Sequence, residues 1–175
     1  NEANPSLWRQ SQLNYINGLF CVDCPDQTNL TSGTIYQIRS FDLANMSLIK
    51  VPSKESWIII DPLGSPETAR AGLDLANKHI YNKGKGEYNV TSVIFTHSHI
   101  DHFGGVWGVL NKETIDQEIT SGNVKIYAPD GFFEESVSEN IMAGNAMGRR
   151  ASYMYGNVLD KNEKGTLGTG LGQTT

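Results

Sequence analysis

Two cysteines in 175 residues are too few for a disulfide framework, which takes four or more in a small secreted domain. They form Cys21-x-x-Cys24, with no second pair to make a zinc ribbon and no strand–helix pattern around it to make a thioredoxin-like site. Pro25 and the polar stretch 26–33 follow, so the pair reads as two loop cysteines or a minor local disulfide. Long apolar runs are missing as well. The longest, Trp57-Ile58-Ile59-Ile60, falls far short of the ~20 residues that cross a bilayer, so a transmembrane helix is excluded. Basic residues total 14 against 19 acidic ones, a net charge of −5 with no block of Lys or Arg, which argues against nucleic acid and anionic membrane surface as partners. The chain begins at Asn1 with no charged-then-apolar leader, so a signal peptide is expected to be absent or removed. What is present, 38% apolar and 19% charged residues over this length, fits one globular domain with a core.

Residues 1–18 are polar with scattered apolar anchors and read as an arm packing on the domain, followed by a turn-rich loop over 21–33. Strands are expected at Thr34–Arg39, Met46–Val51 and Trp57–Ile60, the last apolar on both faces as in the middle of a layered fold. Ser65-Pro66-Glu67 opens a helix, with Ser as N-cap, Pro in the first turn and an acid near the dipole's positive end. Ala69, Leu73, Ala76 and Ile80 give it one apolar face, and Gly84 and Gly86 break it. A strand over Ser92–Phe95, a short helical stretch after Gly105, a polar helix near 112–119 and a strand over Val124–Ala128 follow. Phe133, Val137 and Ile141, spaced i, i+4, i+8, predict a helix from about 131 to 147. The order of elements implies a layered α/β or α+β fold. Residues 160–175 are rich in Gly and Thr and cannot close a core by themselves.

The chemistry concentrates in one window. Of four histidines, His97, His99 and His102 fall within six positions together with Asp101, directly after a buried strand. Imidazole nitrogen and carboxylate oxygen are donors that Zn²⁺ accepts at about 2.0–2.2 Å. In an extended segment, side chains two apart leave the same side, so His97 and His99 can clasp one ion. Asp101 and His102 are adjacent and, at the start of a helix, can reach sideways to a second. His79, at the polar end of its helix, reads as a surface group near the helix dipole's negative end.

The string Phe95-Thr96-His97-Ser98-His99-Ile100-Asp101-His102-Phe103-Gly104-Gly105 resembles the signature of the metallo-β-lactamase superfamily. The flanks resemble its alkyl sulfatase branch: Trp8-Arg9-Gln10, Gly18-Leu19-Phe20, Ile35–Arg39, Phe41–Met46, Ile60-Asp61-Pro62-Leu63, Ser138-Glu139-Asn140, Ala143–Met147 and Gly170-Leu171-Gly172. The Cys21–Gly33 loop is a departure from that pattern.

The resemblance implies a four-layer αββα sandwich with only its first half in this chain. Its parts are an arm and loop over 1–33, the first half of the catalytic domain over 34–159, and a Gly/Thr-rich connection over 160–175. It implies two zinc ions, one held by His97 and His99 and the other by Asp101 and His102. Asp61 would orient ligands from behind. Asn145, Arg149 and Arg150 are candidates to face a sulfate. The implied activity is zinc-dependent hydrolysis of sulfate esters, such as dodecyl sulfate, by a metal-bound hydroxide, with Asp101 as the catalytic carboxylate. The implied partners are a small sulfate ester with an alkyl chain and, in the full-length protein, a second copy in a homodimer; the implied compartment is the periplasm or the exterior. Each ion is short of ligands here: no His follows His102, and nothing marks any of Glu113, Glu118, Glu134, Glu135, Glu139 or Glu163 as the missing one. The piece alone is therefore expected to be inert. Two other readings stay open, another hydrolase of the same fold acting on β-lactams or thioesters, and a non-catalytic metal-binding fragment.

Overall fold

The computed structural model describes residues 4–6, 9, 18–26, 28–81 and 89–154. Most of the expected arm, the glycines at 84 and 86 and the stretch 160–175 lie outside them. The described residues build one mixed sheet of six strands in sequence order, β1 (Gly18–Cys21), β2 (Ile35–Arg39), β3 (Met46–Val51), β4 (Ser56–Ile60), β5 (Asn89–Ile94) and β6 (Lys125–Tyr127). The first four pair antiparallel as a meander, while β5 and β6 each join in parallel. Parallel neighbours need a crossover, and here helices supply it. Helix α1 (Pro66–Ile80) links β4 to β5. Helices α2 (Ile100–Phe103), α3 (Val106–Val109) and α4 (Ile115–Thr120) link β5 to β6.

Helix α1 starts as its sequence requires: the Ser65 hydroxyl accepts from the Thr68 N–H at 3.2 Å, with Pro66 at the first turn and Glu67 beside it. Its buried face is Ala69, Gly72, Leu73, Ala76, Asn77 and Ile80. Gly72 lets the helix approach the sheet closely, since a Cβ there would meet Met46 Cε at 2.8 Å. Trp57 anchors the contact. It is fully buried, its indole N–H donates to Asn77 Oδ1 at 2.8 Å, and Tyr36 and Tyr81 meet it edge-on at 5.7 and 5.1 Å. Burial alternates along β4: Trp57 and Ile59 face this core, whereas Ile58 and Ile60 on the opposite face are half-buried.

Cys21 and Cys24 are bonded as a local disulfide at the start of the turn-rich loop, one of the two readings the sequence left open. Two places differ from the sequence reading. Residues 18–21 form strand β1, which pairs with β2 across that loop. The expected helix over 131–147 is divided into α5 (Phe132–Val137), a wide turn over Ser138–Met142 and α6 (Gly144–Met154). The wide turn is closed by Ala143 N–H donating to Ser138 O, an i+5 bond that adds a residue to the turn and shifts the apolar stripe out of phase. Phe133 and Ile141, which the 3.6-residue period put on a packed face, are 73% and 64% exposed.

Candidate metal centre

The site forms where β4 and β5 end side by side, the edge at which open parallel sheets gather their ligands. After Ile60 the backbone turns sharply: Asp61 and Leu63 take left-handed conformations, with φ of 54° and 63°. Asp61 N–H still donates to Ile94 O at 3.0 Å, which continues the β4–β5 ladder. The turn sends the Asp61 carboxylate sideways to the end of β5. There Oδ1 accepts the Thr96 N–H at 2.8 Å, and Oδ2 accepts the Thr96 hydroxyl at 2.6 Å and His102 Nδ1 at 2.9 Å. Asp61 is 7% exposed, and its carboxylate makes these part-buried bonds charge-assisted.

That network orients two imidazoles. A carboxylate only accepts, so His102 presents an N–H at Nδ1 to Asp61 and turns Nε2 towards Asp101. Thr96 has one hydroxyl proton, already given to Asp61, so at 2.9 Å it accepts from His97 Nδ1–H. Burial, then the neighbouring His102 and His99 rings, hold the His97 imidazole below its usual pKa despite Asp61 and Asp101, which favours the neutral ring that metals bind.

His97 and His99 meet edge-on with ring centroids 4.6 Å apart, and His97 and His102 lie 4.0 Å apart. Asp101 and His102 sit together in α2, as the turn at a helix start allows, with Asp101 Oδ2 3.3 Å from His102 Nε2. Two donors at 2.0–2.2 Å from one tetrahedral ion stand about 3.4 Å apart, so this pair fits an ion between them. Asp61, His97 and His102 each place a ligand atom within 4.8 Å of the others. Asp61 Oδ1 meanwhile takes one donor and Oδ2 takes two, all from Thr96 and His102.

Two residues that the sequence names without a role come to the site. Thr96 stands inside the motif string, where its spacing gives it no task. Glu139, on the wide turn after α5, brings Oε1 to 3.3 Å from His99 Nε2. Asn145, Arg149 and Arg150 are exposed on α6, and among the described residues no hydrogen bond or ion pair joins them to the histidines. His79 is exposed in the last turn of α1. A groove of about 1390 Å³ beside Arg70, Trp107 and Lys112 includes none of the His/Asp cluster.

Comparison with known proteins places the chain. The profile of the metallo-beta-lactamase superfamily matches residues 39–173. A linear primary-alkylsulfatase of Pseudomonas sp is 53% identical over 99% of this chain and 23% of its own length. An alkyl/aryl-sulfatase of Saccharomyces cerevisiae is 43% identical over 99% of this chain and 24% of its own. The solved structure of the stereoselective inverting sec-alkylsulfatase Pisa1 from Pseudomonas sp. matches with a TM-score of 0.73 at 41% identity, covering 99% of this chain and 24% of that one. The chain thus spans about a quarter of the length of these relatives. It belongs to the metallo-beta-lactamase superfamily and resembles that superfamily's alkylsulfatases along nearly all of its length.

Proposed function

We propose that this chain supplies part of the active site of a zinc-dependent hydrolase of alkyl sulfate esters. The observation that carries the reading is the Asp61 network, which engages His102 at Nδ1 directly and His97 at Nδ1 through Thr96, and turns Nε2 of His102 towards Asp101. The alkylsulfatase relatives support the substrate class, and the superfamily supports the metal. His97 and His99 would hold one zinc ion, Asp101 and His102 a second. Zinc in that place would polarise the ester's oxygens and make water a better nucleophile at neutral pH. Asp101 accepts a proton or hydrogen bond from the attacking water, Asp61 and Thr96 keep the imidazoles in the required tautomer, and Asn145, Arg149 and Arg150 are the candidate donors for the sulfate oxygens. The resemblance also supports a homodimer, checked by sedimentation.

In the protein that carries this chain, His97→Ala and His102→Ala should each remove about one equivalent of zinc and most alkyl sulfate hydrolysis. Elemental analysis with undiminished zinc in both variants would sink the ligand assignment. A panel of alkyl sulfates, β-lactams and thioesters tests the substrate class, and turnover of the latter two alone would overturn it.

A further inference from the structure

We infer that Glu139 is a positioning residue for this metal centre, fixing His99 through Nε2 so that Nδ1 faces the ion. The inference rests on the metal reading above. His97 and His102 each have Nδ1 committed to the Asp61–Thr96 network, which leaves Nε2 for the metal. His99 lies outside that network. Its side chain is 58% exposed, so packing does not lock the ring, and the contact to Glu139 Oε1 at 3.3 Å supplies the missing constraint. The acceptor-only carboxylate selects the Nε2–H tautomer and leaves the Nδ1 lone pair.

Three features bring Glu139 there. Phe132, opening α5, stacks on Phe95 at 5.3 Å and meets Phe103 edge-on at 5.2 Å, tying the helix to both flanks of the histidine motif. The extra residue in the 138–142 turn, with its i+5 bond, sets the direction in which Glu139 leaves the backbone. Asn140 Nδ2 donates to Ser136 O at 2.8 Å and holds that turn to α5. Glu139 itself is 24% exposed, less than a freely solvated surface acid. Wide turns of this kind recur where a side chain must be re-aimed at a functional site.

The test is zinc affinity by chelator competition, with the visible spectrum of the cobalt-substituted protein, in wild type, Glu139→Ala and Glu139→Gln. Glu139→Ala should weaken one of the zinc ions about 10–100-fold and shift the cobalt spectrum, while the metal-free protein unfolds at the wild-type midpoint. Glu139→Gln should recover most of both, because its amide oxygen still accepts from Nε2–H. Unchanged affinity and spectrum in Glu139→Ala would overturn the inference, leaving a surface ion pair of little worth. An equal loss in both variants would make Glu139 a direct ligand, and a lowered metal-free midpoint would make its role structural; either result overturns it too. A wild-type protein that binds no zinc would instead refute the metal reading, and this inference with it.

Discussion

Asp61→Asn is the most informative single change, because it keeps the shape of the side chain and alters only what its atoms can accept. Asp61 takes three donors, Thr96 N–H on Oδ1, and Thr96 Oγ1–H and His102 Nδ1–H on Oδ2. An amide offers one oxygen. With its NH₂ on the Oδ1 side it faces the Thr96 N–H, two donors opposed. With its NH₂ on the Oδ2 side it donates to His102 Nδ1, and the ring proton must move to Nε2, the atom that would bind metal. The first orientation costs the part-buried Thr96 N–H its acceptor, about 1 kcal/mol. The second costs the metal site: loss of an orienting partner weakens metal binding about 10–100-fold, or roughly 1.4–2.7 kcal/mol. Nitrogen-15 spectra of the metal-free protein would show the proton of His102 on Nε2, and calorimetric titration would give the affinity. A variant that unfolds at the wild-type denaturant midpoint and binds zinc with unchanged affinity would refute the argument.

Two further predictions concern the scaffold. Gly105→Ala should destabilise by about 3 kcal/mol, because its Cβ would press into the carbonyl oxygens of Pro62 and Ser65, and backbone gives way less readily than side chains. Gly148→Ala, in α6 with nothing near its Cβ, should be neutral or stabilise by about 0.5–1 kcal/mol, and equal thermal shifts for the two would contradict this account. Burial, with the Asp23 charge nearby, pushes the Tyr36 phenol up to about 12 from 10.0. The neutral phenol therefore contributes stability in full below about pH 10 and loses it as pH rises through 12. The stability difference between wild type and Tyr36→Phe should shrink over that window in denaturant titrations, and a constant difference would contradict it.

Much of this was legible in the sequence where local chemistry decides. Ser65-Pro66-Glu67 gives both the start of α1 and its cap, and Met46–Val51 is a strand with the bounds expected. That His97, His99, Asp101 and His102 gather after the fifth strand follows from their spacing, although His97 and Ser98 lie in a bend rather than in extended backbone, and His97 comes nearer to His102 than to His99. What was hidden depends on non-local contact. Strand β1 has only four residues and is defined by its pairing with β2 across the loop that the disulfide opens. Glu139 stands among several equivalent glutamates, and only the Phe95–Phe103–Phe132 cluster and the wide turn select it. The turn is invisible to a test for a 3.6-residue period, because every apolar residue up to it fits a continuous helix.

The backbone strain at the end of β4 and the glycines that follow the histidine motif belong to one construction. Two left-handed non-glycine residues in three positions cost about 1–2 kcal/mol each. An extended Asp61 would continue the strand's alternation and leave its carboxylate off the line to Thr96 and His102. The left-handed turn carries it across to β5, and the surroundings hold the turn in place. Leu63 and Pro62 are fully buried, which for Leu63 alone is worth about 1.5–3 kcal/mol. Gly105 N–H donates to Leu63 O at 2.8 Å, and Asp42 Oδ2 accepts from both Gly64 N–H and the Thr68 hydroxyl. This closeness is possible only because Gly104, Gly105 and Gly108 carry no Cβ where the carbonyls of Gly64, Pro62 and Pro66 lie. The same glycines cap and follow α2, the helix that carries Asp101 and His102. Loop and helix are thereby locked to each other by backbone contact, and the distance from Asp61 to His102 is set by the scaffold instead of by side-chain rotamers.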